Sequence, residues 1–280
     1  MGFNFKKAAE SINAQTEKKV LQLMTLAPSG AGKSFLAGTM GVKTLYIHGA
    51  GESHGYDSAS ITGKENIIPF RWDLDDEGQP IASADDQWNR LKSVLADKES
   101  LISEGIEFVV VDSATEVEAL IGATAFKRNL MTQNGKINSF KDSESTAIMF
   151  STLHNSLASL ALSGIGYNMT CILDVQEMDD YGLILESSPK LMGYRVAESL
   201  IQRFPDIVVV GQLMNPETEN VAHRVYFNAG ITKASKDASG TIRKTLNFNP
   251  RITGLTREQL PEGSLPADLS VLLKLKSGDL

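Results

Sequence analysis

Val20-Leu21-Gln22-Leu23-Met24-Thr25-Leu26-Ala27-Pro28-Ser29-Gly30-Ala31-Gly32-Lys33-Ser34-Phe35 is the stretch that decides the fold. Val20 to Leu26 is apolar with partial alternation and stops at Pro28, so it reads as a strand entering a turn. Small residues follow, and Phe35-Leu36-Ala37-Gly38-Thr39-Met40 suits a helix. A loop of small residues between a strand and a helix lets backbone N–H groups converge on an anion. Gly30 and Gly32 permit backbone conformations that bulkier residues resist. Residues 27–34 match the phosphate-loop pattern G-x-x-x-x-G-K-[ST], with Ala27 in place of the first glycine.

In that pattern Lys33 brings a point charge to the β- and γ-phosphates of a nucleoside triphosphate, and Ser34 offers a hydroxyl to Mg²⁺. ATP with Mg²⁺ is the expected ligand, lined by Pro28, Ser29, Gly30, Ala31, Gly32, Lys33, Ser34 and Phe35. A second strand should end in an acid that holds the metal, and Phe108-Val109-Val110-Val111-Asp112 does so. Asp112 is the expected metal ligand; otherwise it caps the helix that follows. Ser113, not a glutamate, comes next, so a catalytic carboxylate must come from elsewhere.

Thr44-Leu45-Tyr46-Ile47 reads as a strand and leads through His48, Gly49, Ala50 and Gly51 to Glu52. Glu52 either polarises an attacking water or is a solvated loop glutamate. His48 and His54 flank it and read as structural or solvated. Gln176 follows an apolar strand ending at Val175 and is either a γ-phosphate sensor at the carboxyl edge of the sheet or a loop amide.

Further along, Asp85–Ile102, Glu116–Ala125, Ala147–Leu162 and Leu191–Gln202 carry helical spacing, and Met169–Val175 and Asp206–Gln212 read as buried strands. A strand is expected near Ile67–Trp72, and residues 176–189 are expected to form a polar loop. His223–Asn228 and Thr245–Asn249 read as a hairpin around a Lys/Gly/Ser-rich tip. Buried strands alternating with helices predict an α/β fold with a mainly parallel sheet and helices on both faces. Residues 1–19 read as a polar extension, 20–255 as the core, and 256–280 as a tail with one helix.

The 280 residues are 42% hydrophobic and 22% charged, ample for a buried core. No apolar run reaches the roughly 18 residues a membrane helix needs, and no secretory leader is legible at the N-terminus. Cys171, the single cysteine, reads as a buried small hydrophobe in a reducing cytoplasm. A net charge of −7 excludes coating nucleic acid by global positive charge, so any such surface is a local patch.

Taken in order, Ala27–Ser34, the strand into Glu52, Val109–Ser113, the strand into Gln176 and Leu246-Asn247-Phe248-Asn249-Pro250-Arg251 resemble the RecA-like core P-loop ATPases of bacteriophages. This is the group of phage AAA-type nucleotide-binding proteins, some of which act in single-strand annealing or recombination. The resemblance spans roughly residues 20–255. It implies an oligomeric ring or filament in the host cytoplasm, acting on single-stranded DNA, with a phage single-strand-binding protein as a further partner. It implies that Arg251 reaches a neighbour's γ-phosphate, although relatives carry a lysine where Asn249 stands here. It also implies DNA-binding loops, for which Lys127, Arg128, Lys136 and Lys141 with Phe126 and Phe140, or Lys233, Lys236, Arg243 and Lys244, are the candidates. Two other readings stay open: a nucleotide-dependent protein-interaction switch without DNA binding, and a small-molecule kinase. The latter lacks an arginine-rich lid, since residues 176–190 supply only Lys190.

Overall fold

The computed structural model describes residues 20–52, 63–125, 132–133, 136–137, 139–178, 184–191, 193–214, 221–227, 231–236, 242–248, 250–261 and 264–279. Strand β1 (Gln22–Ala27) lies inside a nine-stranded sheet. It pairs in parallel with β7 (Gly166–Met178) on one side and β9 (Asp206–Met214) on the other. Beyond β7 come β4 (Phe108–Asp112), β2 (Thr44–His48) and β3 (Ile67–Arg71), all parallel. Beyond β9 come β10 (Val221–Tyr226) and β13 (Ser264–Pro266), both antiparallel to their neighbours. The fold is α/β, with a mainly parallel sheet and helices on both faces. The phosphate-loop strand β1 and the acid-bearing strand β4 are separated by β7, and the loops that leave their carboxyl ends gather at one edge of the sheet.

Successive residues of each strand serve opposite faces. On one face Leu21, Leu23, Tyr46, Phe108, Val110 and Val208 pack under α1 (Lys33–Ala37) and the C-terminal helix α7 (Leu269–Ser277). On the other, Met24, Leu26, Val109 and Val111 pack under α2 (Ala84–Ala96), α4 (Ala114–Ala123), α5 (Ser139–Leu162) and α6 (Gly193–Ile201). The helical run expected over 85–102 is broken. Asp97 ends α2 and accepts a hydrogen bond from Ser100 N at 3.2 Å, opening α3 (Lys98–Ser103).

Two expectations change. Residues 223–226 do not pair with 245–248. β10 joins β9 in the main sheet, and the hairpin is formed by β11 (Ile231–Lys236) with β12 (Ile242–Phe248). Residues 176–189 are not a plain loop: β7 runs on to Met178 and returns as β8 (Ile184–Pro189), with β11 alongside. Residues from 256 on include the expected last helix, α7. β13 extends the sheet, and Leu269, Leu272 and Leu275, spaced by three on α7, are buried in the core. The N-terminal extension falls outside the described residues. Cys171 is buried as expected, and burial pushes its thiol up to about 12.

On the α5 side His154 sits between Tyr167 and Phe204, ring centroids 6.2 and 5.1 Å away. Burial, and then the charge of Arg203, pull its pKa from 6.5 down to about 4. The unfolded chain therefore takes up this proton first, so stability is full above neutrality and falls as pH drops from 6.5 towards 4. Discounted for partial solvent screening, the loss is about 2 kcal/mol. His154→Phe should flatten that part of the acid limb, read as urea midpoints at pH 7 and pH 4.5. Equal acid losses in the two proteins would rule the assignment out.

Candidate functional site

β1 ends at Ala27, and the loop turns through Ala31 N to Pro28 O at 3.1 Å. Gly30 and Gly32 hold φ of +78° and +99°, the left-handed region that other residues resist. At Gly32 a side chain is also blocked sterically, since a Cβ there would lie 2.4 Å from the His223 ring. Leu36 N donates to Gly32 O at 2.9 Å and starts α1, which carries Lys33 and Ser34 to the carboxyl edge of the sheet.

Lys33 Nζ is the centre of the site. It donates to Glu52 Oε2 at 2.7 Å and Asp112 Oδ1 at 3.3 Å, and lies 3.4 Å from Ser34 Oγ. Lys33 is 7% exposed and Asp112 fully buried. Burial opposes a charged ammonium, but the carboxylates of Asp112 and Glu52 outweigh it and hold the lysine above its ordinary pKa. Asp112 is itself held on both sides. Tyr46 OH donates to Oδ2 at 2.5 Å, and Thr170 Oγ1 donates to Oδ1. Burial, then Asp112, push the Tyr46 phenol well above its ordinary range, with Ser34 nearby pulling the other way. Glu52 ends the short 3₁₀ turn Ala50–Glu52, and its Oε1 accepts from Ser113 Oγ at 3.1 Å. The Asp112–Ser113 peptide bond is cis.

Sequence reasoning missed several residues of this cluster. Tyr46 looks like one more core aromatic on β2. Thr170 is a polar residue inside an apolar strand, as are Thr25 and Asn168, which bond each other at 2.9 Å. That polarity was the available signal. Glu116, in the first turn of α4, places its carboxylate against Gly51; burial, then Glu52, push its pKa up. On the far side of the loop, Gln212 Nε2 donates to Gly30 O at 3.0 Å and His223 Nδ1 to Ala31 O at 2.9 Å. These two residues face each other across β9 and β10.

The structure thus brings Lys33, Ser34, Glu52 and Asp112 together. Gln176 lies in β7 beyond the end of β1, since Ala27 pairs with Ile172. Arg251 is not at this edge. Its backbone bridges Ile207 near the start of β9, and its guanidinium donates to Pro205 O at 3.1 Å and Phe204 O at 2.7 Å within its own chain. His48 is buried, with Nδ1 2.8 Å from Gly49 O. His54, Phe126, Lys127, Arg128 and Asn249 lie outside the described residues. Lys136 is in the short strand β6 (Lys136–Ile137), and Phe140 and Lys141 open α5. Lys233, Lys236, Arg243 and Lys244 fall in the β11–β12 hairpin. Among the described residues no helix is long and apolar enough to cross a membrane.

No family model matches the sequence, and no curated protein matches it. Among solved structures, the fold is similar to that of a KaiC-like protein from the hyperthermophilic archaeon Pyrococcus horikoshii, with 10% identity over 89% of each chain and a TM-score of 0.39. At that distance the likeness assigns no residue a role.

Proposed function

We propose that this protein binds and hydrolyses ATP at the loop Pro28–Phe35. The observation that carries the reading is the convergence of Lys33, Ser34, Glu52 and Asp112 from α1, the turn after β2, and β4. Ser34 and Asp112 are the hard oxygen donors that would hold Mg²⁺, and the Lys33 ammonium near both oxygens supports a place for positive charge there. Held there, such an ion would neutralise charge at the phosphates. Loop amides and Lys33 bind the triphosphate, while Tyr46 and Thr170 keep the Asp112 carboxylate oriented. Glu52 takes a proton from water as the water oxygen bonds to the γ-phosphorus. The bond to the bridging β–γ oxygen breaks, and ADP and phosphate leave.

Lys33→Ala should raise the ATP Kd about a hundredfold, the loss of about 3 kcal/mol of charge-assisted bonding, measured by calorimetry. Affinity within threefold of the wild type would remove the loop from the reading.

The finer reading is an oligomer that couples this hydrolysis to single-stranded DNA in phage recombination or replication. The phage-ATPase resemblance supports it, as does the gathering of Lys233, Lys236, Arg243 and Lys244 on one hairpin. A finger role for Arg251 has less support, because two carbonyls of its own chain engage the guanidinium. ATPase rates with and without single-stranded DNA should differ severalfold at low salt, the difference shrinking as salt rises. Slow turnover indifferent to DNA would point instead to a protein-interaction switch, and phosphate transfer to a metabolite to a kinase.

A further inference from the structure

Lys33, Glu52 and Asp112 meet on the β4 side of β1, which leaves the opposite side of the loop for the other end of a triphosphate. That side faces β10. There a groove of about 760 Å³ opens between α1 with the turn after it, which supply Phe35, Thr39 and Met40, and the opposite wall of Ala222, His223 and Asp268. Its size falls in the range of cofactor sites, which run from about 300 to 1,000 Å³. The groove is joined to the phosphate loop, not merely near it. His223 belongs to both: Nδ1 bonds Ala31 O at 2.9 Å, and its ring lies 5.2 Å from that of Phe35, tilted by 35°.

We propose that this groove receives the nucleoside of the bound triphosphate, the base lying beside Phe35 and His223. The inference rests on the phosphate-site reading above and deepens it. A carbonyl only accepts, so His223 carries a proton on Nδ1; the neutral ring then has Nε2 as an acceptor. The Asp268 carboxylate, whose Oδ1 takes the Ser270 N–H and hydroxyl, is a second acceptor along the same wall. The groove is therefore matched to a base and sugar that present N–H and O–H donors.

The test separates nucleoside from phosphate. Ser270, in the first turn of α7, lines the groove and is not among the loop residues that the phosphate reading uses, so Ser270→Trp fills the groove while leaving the loop sequence intact. Binding of ATP and of inorganic tripolyphosphate is measured on the full chain. The expected result is an ATP Kd raised at least about tenfold and an unchanged tripolyphosphate Kd. An unchanged ATP Kd, or equal weakening of both ligands, would overturn the groove assignment. Wild-type protein that binds neither ligand would overturn the phosphate site itself, and the groove with it. Independently of any variant, photolabelling the wild type with 8-azido-ATP should mark residues 35–41, 222–223 or 266–270. Label confined to other segments would also overturn the proposal.

Discussion

Glu52→Gln lowers the rate of ATP hydrolysis by about a thousandfold, within the range expected for loss of a general base, and leaves ATP affinity unchanged or tighter. The amide keeps the shape of the side chain and can still accept from Ser113 Oγ, now 3.1 Å from Oε1, so the turn stays in place. What is lost is the basicity that takes the proton from water. Affinity should not fall, because Glu52 engages the ammonium that ATP needs: Lys33 Nζ sits 2.7 Å from Oε2 and must exchange that carboxylate for a phosphate. Binding by calorimetry and single-turnover hydrolysis separate the two effects. If Glu52→Gln turned over at the wild-type rate, Glu52 would not be the base. Glu116, whose carboxylate lies against the same turn, would then be the next acid to replace.

Lys276→Met should cost about 3–5 kcal/mol of folding stability, the range for breaking a buried ion pair from one side. Asp206 is fully buried at the start of β9, and Lys276 Nζ of α7 reaches its Oδ2 at 2.6 Å. The same carboxylate accepts Gln22 N at 2.9 Å and Thr253 N at 2.8 Å. Removing the lysine leaves a buried anion with two main-chain partners, which places the loss nearer the lower end of that range. Asp206→Asn added to Lys276→Met removes the stranded charge and should recover part of it. Urea midpoints for the three proteins test this, and a loss below about 1 kcal/mol for Lys276→Met would mean that the pair behaves like a solvated one.

The phosphate loop and Asp112 were legible because each sits at the end of an apolar strand, where a polar residue stands out, and Glu52 because it lies in the short turn that follows one. Tyr46 and Thr170 were not, because their role depends on lateral order. Only when β7 is placed between β1 and β4 does Thr170 come beside Asp112. Gln212 and His223 share that dependence, since they reach the loop through the pairing of β9 with β10. The hairpin was misplaced for a related reason. Two strands flanking a polar stretch look the same whether they pair with each other or with separate partners, and here the edge of β9 claimed the first of them. Arg251 reads as a finger for a neighbouring subunit because it is basic and follows a late strand. The sequence does not say which edge of the sheet such a residue occupies, and the bridge to Ile207 puts it at the edge away from the loop.

Strand β7 belongs to two structures at once. Its first half is clamped between β1 and β4 and holds Asp112 through Thr170; its second half leaves them, pairs with β8 and so comes near the basic hairpin. Thr170 and Met178 are joined by extended backbone spanning up to about 26 Å, and extended backbone has little slack to take up. The strand that reaches the phosphate edge through Thr170 thus also leads outward to the hairpin side, its register with β8 shifting between Val175 and Met178.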